Sequence, residues 1–344
     1  MKDTRPSPIE MKTLYRAASE FRKLAPWEWM DDSEVFGVQN PGTGEIGYCC
    51  VLGAMEEVFA LVVYLGAKGL KVHLDIQDGK FEPEDPDVGF MQDCLMASFE
   101  NKEDMDKDDI RLIKRLNLNF RGSHAWPMFK RYKPGYFPWH PDREEVLFLT
   151  DALAQASEVC RQLLENEDIE TPADDGLYLV RVCRVEDGKT VWGDEWKKPE
   201  SVGETSFTIE PINELRLQRL KREAKPTAAV WEIDFFYSPT PIDEGGRPYY
   251  PYTIMIADHN TGVIYDVYLS HRPGHEKEFM EHFLLCIENL KQIPKEIKVS
   301  KEETAKFFES YTAFLQIKLS HAKRLDAVDS ARIAMTKHLQ SMQR

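Results

Sequence analysis

The residues of this chain with the clearest chemical potential are carboxylates set in strands and at the starts of helices. Asp234 sits in the middle of WEIDFFY (231–237), a run of aromatic and β-branched residues that predicts a strand. Glu302 and Glu303 follow a second such run, EIKVS (296–300), and Asp329 lies on the closing helical stretch. Carboxylates gathered from such places can hold a pair of divalent cations and so stabilise the attacking and leaving oxygens of a phosphodiester. Asp258 is a further candidate acid. It ends a strand and precedes His259-Asn260-Thr261-Gly262, where an Asp side chain bonds the backbone that follows, so a turn role is its preferred account.

Three other constellations invite chemical readings. His271, His275 and His282 straddle the start of a predicted helix and could in principle hold a metal, but their spacing matches no established zinc pattern, and solvated helix-start residues are the plainer account. Gly42, Gly44 and Gly47 spell Gly-x-Gly-x-x-Gly, yet the chain continues as a strand where a dinucleotide-binding loop would open a helix, which favours a hairpin turn. The segment WPMFKRYKPGYFPWHP (126–141) interleaves Lys130, Arg131 and Lys133 with Trp126, Phe129, Tyr132 and Trp139. Such rings and cations could stack bases and hold phosphates, or anchor a protein partner. A Pro-rich aromatic segment more commonly lies extended over its own domain and buries its rings.

These residues need a scaffold, and 344 residues suffice for two domains with cores of their own. The formal charge of −15 disfavours tight, nonspecific binding to nucleic acid. Residues 1–225 carry 30 basic and 43 acidic side chains against 14 and 16 after them, so the acidity belongs to the N-terminal part. The six cysteines lie mostly in apolar runs without Cys-x-x-Cys spacing, which predicts reduced, buried thiols. No apolar run reaches a bilayer span and the N-terminus lacks a signal-peptide core, so a cytoplasmic protein without membrane contact is expected.

The pattern divides the chain into an α+β domain over 1–200, a charged connecting segment over 201–225 and a second domain over 226–344. In the first, amphipathic spacing predicts helices over Ile9–Leu24, Ile110–Leu116 and Glu144–Glu165, and hairpins around the Pro-Gly-Thr-Gly turn and around Glu186-Asp187-Gly188. Val58–Leu65 fits either a strand or a helix. A short helix is expected over Asn213–Glu223. Beyond it come three strands (Ala229–Tyr237, Tyr252–Asp258, Val263–Leu269), a helix over Glu276–Leu290, a strand over Glu296–Val299, a helix over Lys301–Phe314, a strand over Leu315–Leu319 and a helix over Arg324–Gln340.

That order resembles the ribonuclease H/integrase layer, in which an acid in the middle of the first strand begins the metal site. The resemblance implies two more acids, at the end of the fourth strand and on the last helix. Ser300 and Lys301 stand at the former place, with Glu302 and Glu303 one step further on, and Asp329 is the nearest match on the helix. The segments 27–66, 129–139 and 231–262 also resemble a bacterial family made of two adjoining domains of unknown function, which implies no activity. The favoured expectation is a binding or regulatory protein on a non-catalytic ribonuclease H-like scaffold, needing no cofactor, with a protein partner favoured over nucleic acid. The alternative is a nuclease using Mg or Mn through Asp234, Glu302 or Glu303, and Asp329.

Overall fold

A computed structural model describes residues 5–55, 57–81, 87–165, 176–202, 214–270 and 275–342. The chain falls into two compact units, 1–134 with 138–202 and 135–137 with 203–344.

The first unit is built on a mixed sheet of β1 (Phe36–Gln39), β2 (Ile46–Leu52), β3 (Ala60–Leu65), β4 (Cys94–Glu100), β5 (Trp126–Tyr132), β6 (Tyr178–Glu186) and β7 (Lys189–Lys197), ordered β5-β4-β3-β2-β1-β6-β7. Every neighbouring pair is antiparallel except β1 with β6. Its main core joins Leu14, Tyr15, Ala18 and Phe21 of α1 (Pro8–Leu24) to inward side chains of the sheet. α2 (Gly66–Gln77) contributes Leu70 to a smaller cluster with Tyr48, Cys50, Val62, Tyr64 and Cys94. The short α3 (Val88–Met91) and α4 (Lys107–Arg115) precede and follow β4. The long α5 (Arg143–Glu165) adds Val146, Leu149, Leu153 and Ala156 to the main core.

Two open readings close here. Of Val58–Leu65, the part Ala60–Leu65 forms strand β3, paired on both sides and buried on both faces, while Val58 before it is exposed. The Gly-x-Gly-x-x-Gly stretch is the turn between β1 and β2: Gly44 adopts φ +79°, and Gly47 lies in β2 against Phe148, where a Cβ would come within 2.6 Å of the ring.

In the second unit, α6 (Glu214–Glu223) precedes β8 (Lys225–Pro226), β9 (Val230–Tyr237), β10 (Tyr252–Asp258) and β11 (Ile264–Ser270). Then come α7 (Glu276–Leu290), β12 (Gln292–Ile293), β13 (Glu296–Val299), α8 (Glu302–Leu315), β14 (Lys318–His321) and α9 (Asp326–Met342). The main sheet runs β11-β10-β9-β13-β14, antiparallel from β11 to β9 and parallel from β9 to β14. A helical crossover brings the chain back in the same direction, hence the parallel half. Helices α6, α7 and α8 pack on one face through Leu217, Leu220, Phe279, Phe283, Phe307 and Phe308, and α9 packs on the other through Ala327 and Val328, with Leu325 just before it. The last strand begins at Lys318 and not at Leu315: Leu315 completes α8, and Gln316 turns the chain with φ +59°.

All six cysteines are free, and five are buried. No helix among the described residues is long and apolar enough to cross a membrane.

Candidate functional site

Strict alternation along β9 sorts its side chains into two sets. Trp231, Ile233 and Phe235 enter the core under α7 and α8, while Glu232, Asp234 and Phe236 face α9. Two carboxylates are thereby buried side by side on one strand face, and charges so placed must be compensated.

Asp234, 2% exposed, meets two cations. The Lys301 ammonium, at the entry to α8, lies 3.5 Å from its carboxylate, and the Arg332 guanidinium of α9 lies 3.5 Å from Oδ2. Both separations exceed those of tight charge-assisted hydrogen bonds, so these contacts are ion pairs held by other anchors. Lys301 donates a hydrogen bond of 2.5 Å to the Phe235 carbonyl, and the Arg332 guanidinium lies 4.3 Å above the Phe236 ring centre.

Glu232 is fully buried and more completely bonded. Its Oε2 accepts the backbone amides of Ala327 (2.8 Å) and Val328 (3.1 Å), in the first turn of α9, where the helix dipole favours an anion. Oε1 lies 2.5 Å from Nδ1 of His259, and Nε2 of that ring lies 2.9 Å from the Lys298 ammonium. Since the ammonium can only donate, Nε2 accepts and Nδ1–H donates to Glu232. The chain of contacts Lys298–His259–Glu232–α9 thus ties two strands, a turn and a helix together.

The other candidate acids are spent elsewhere. Asp258 caps its turn: Oδ1 accepts the amides of Asn260 (3.0 Å) and Thr261 (2.8 Å) and the Thr261 hydroxyl (2.9 Å), and Oδ2 accepts the Tyr265 hydroxyl (2.9 Å). Burial alone would raise its pKa, but these bonds together hold it below the ordinary aspartate value. Burial raises the Asp329 pKa against the opposing pull of the Leu325 amide and Arg332, and Oδ2 accepts that amide at 3.3 Å. Glu303 accepts the Tyr252 hydroxyl at 3.1 Å, while exposed Glu302 pairs with Lys306 at 3.2 Å.

The histidines part company as well. His275 is half-buried with its ring against Tyr252 and Phe279, and its Nε2 is buried without a hydrogen-bond partner; burial lowers its pKa. His282 pairs through Nδ1 with Asp266 at 2.7 Å and stacks on Tyr268. His271 lies outside the described residues. Among the described residues no three His, Cys, Asp or Glu side chains converge as a metal-binding group. Asp234, Asp329, Glu302 and Glu303 each meet different partners, as does His282, while His275 Nε2 has no hydrogen-bond partner.

The aromatic and basic segment divides between strand and loop. Trp126, Phe129 and Tyr132 lie on β5, with Phe129 buried against Tyr15 and Trp126 packed beside Phe120. Lys130 pairs with Asp106 (2.5 Å) and Asp109 (3.1 Å), and Arg131 with Asp93 (2.6 Å) and Glu145 (2.8 Å), so two of the three cations are neutralised within the first unit. Lys133 and Trp139 are exposed, the latter at 39%.

Sequence reasoning missed Glu232, His259 and Lys298 as one network and Arg332 as a partner of Asp234. The period-two alternation of WEIDFF places Glu232 on the face of Asp234 and was the available signal. Which cations answer Asp234 is set by residues 67 and 98 positions away, beyond any local pattern.

Residues 12–181 match the family described as "Domain of unknown function (DUF7309)", and residues 216–336 match "Domain of unknown function (DUF6930)". No curated protein matches the sequence. Among solved structures, the magnesium-bound HTLV-2 integrase catalytic core domain in its dimeric form is similar at 18% identity and a TM-score of 0.23, over 30% of this chain and 64% of that one. The BIV integrase catalytic core domain is similar at 14% identity and a TM-score of 0.24, over 34% and 72%. The chain spans just under two thirds of the length of the HTLV-2 core.

Proposed function

We propose that the second unit is a ribonuclease H-like scaffold whose metal face has been replaced by internal ion pairs, and that the protein works by binding or regulation and not by phosphodiester cleavage. The fold part of this reading is supported by the sheet order, with three antiparallel strands joined through β9 to two parallel ones, and by an acid in the middle of β9. The observation that carries the functional part is the seat of Asp234 between Lys301 and Arg332. Two divalent ions beside this carboxylate would bring their charge against an ammonium and a guanidinium already in place, at energies of several kcal/mol per like-charge contact even at an effective dielectric of about 20. Lys301 stands where the resemblance calls for an acid.

The same reading makes the partner a protein and dispenses with a metal cofactor. The chain's charge of −15 opposes nonspecific phosphate binding, and Lys130 and Arg131 are spent on internal acids. Six free cysteines suit a reducing, cytoplasmic setting.

Manganese binding, read by electron paramagnetic resonance of the free ion, tests the proposal directly. Parent and Asp234→Asn protein should give the same weak isotherm. One or two tight sites in the parent that vanish in the variant would overturn the reading.

A further inference from the structure

A groove of about 640 Å³ in the first unit is independent of the β9 face. It lies between the single helical turn Lys102–Asp104 and the loop 117–125 that leads into β5, and its lining includes Asn101, Lys102, Asn119, Phe120, Arg121 and Trp126. We propose that this groove binds a free mononucleotide, with the base against Trp126 and Phe120 and the phosphate between Lys102 and Arg121.

Size and lining both point to that class. The volume falls within the range of small-molecule sites, which combine ring faces with a few fixed polar groups. Phe120 and Trp126 meet edge to face at 6.0 Å with their inner sides on the core, giving a rigid aromatic corner. The Lys102 ammonium lies over the Trp126 ring at 5.6 Å from its centre, so a base that stacks on this face displaces the lysine head towards the phosphate. Arg121 is exposed and offers the planar donor fork that suits a phosphate. Among the described residues neither cation forms an ion pair, in contrast to Lys130 and Arg131 on the adjoining strand. Glu103, the acid of the lining, offsets one of the two charges, which leaves the groove matched to a single phosphate and not to a strand.

The loop is held in shape before any ligand arrives. Asn117, Gly122 and His124 all adopt left-handed backbone, with φ +56°, +105° and +48°. The arrangement persists because Arg22 donates to the carbonyls of Ser123 (2.9 Å) and His124, while Asn101 Oδ1 accepts the Ser123 hydroxyl (3.0 Å) and the His124 amide (3.1 Å). Left-handed conformations at non-glycine residues persist only where the surroundings over-determine them.

Calorimetric titration of the full chain with AMP, adenosine and inorganic phosphate tests the proposal. AMP should saturate one site, with adenosine and phosphate each binding at least about tenfold more weakly, equivalent to about 1.4 kcal/mol. Arg121→Ala, at an exposed position, should weaken AMP about tenfold while leaving adenosine unchanged. Trp126→Phe should weaken AMP and adenosine together. No saturable AMP binding up to about 1 mM, or an Arg121→Ala affinity equal to the parent's, would overturn it. So would a single-stranded pentanucleotide that binds the same groove more than about a hundredfold tighter than AMP.

Discussion

Replacing Glu232 by Gln is a change of one atom type at a fully buried site, and its consequence follows from the bonds that atom makes. The amide oxygen of Gln can still accept from Ala327 and Val328, now without charge, at the 2.8 and 3.1 Å separations the carboxylate uses. Hydrogen bonds to charged groups contribute about 1.5–3 kcal/mol against about 1 for neutral ones, so weakening these two costs about 1–3 kcal/mol. The other end is worse. Gln presents an N–H₂ donor to the Nδ1–H of His259, which must move its proton to Nε2 and then confront the Lys298 ammonium 2.9 Å away. One unsatisfied buried donor adds about 1–3 kcal/mol. The expected total is about 2–6 kcal/mol, concentrated in the attachment of α9. Native-state hydrogen exchange at the Ala327 and Val328 amides should report the loss there, and urea unfolding should give its size. Adding His259→Gln, which can accept at that position, should restore part of it. A total below about 1 kcal/mol, or faster exchange spread evenly over the second unit, would refute the network as drawn.

Three further substitutions probe other parts of the account. Gly47→Ala would place its Cβ within 2.6 Å of both Phe148 and Val63, so the first unit should lose about 1–3 kcal/mol in urea unfolding. Asp258→Ala should cost roughly 1–3 kcal/mol at neutral pH. Because the folded pKa is depressed, that contribution is complete above the unfolded aspartate value of about 4 and fades as the pH falls through the folded one, so parent and variant should converge in acid denaturation series. His275 is half-buried with a lowered pKa, so the unfolded chain binds its proton first; the parent should lose stability as the pH drops below about 6.5, and His275→Phe should remove that part of the slope.

Local periodicity carried most of the second unit. The helix Glu276–Leu290 and the strand Glu296–Val299 stand where their patterns place them, because each is amphipathic or β-rich and bounded by a turn or proline. In the first unit α2 and β4 left little trace. GAKGLKVHLDIQ opens on glycines that suggest a turn, and CLMASFE holds no β-branched residue. Strand β5 carries Pro127, which an edge position tolerates and a reader takes as a loop signal. The acids were visible by type and strand, but Arg332 and Lys301 reach Asp234 only through the fold, and on the proposed reading they take the place of metal ions there.

Cleavage is where that replacement is read most directly. Purified protein and its Asp234→Asn variant, incubated with single-stranded, duplex and RNA–DNA hybrid substrates in magnesium or manganese, should both leave the strands intact. Metal-dependent cleavage by the parent that disappears in the variant would contradict the account, because it would require Lys301 and Arg332 to give way to the ions they are held to replace.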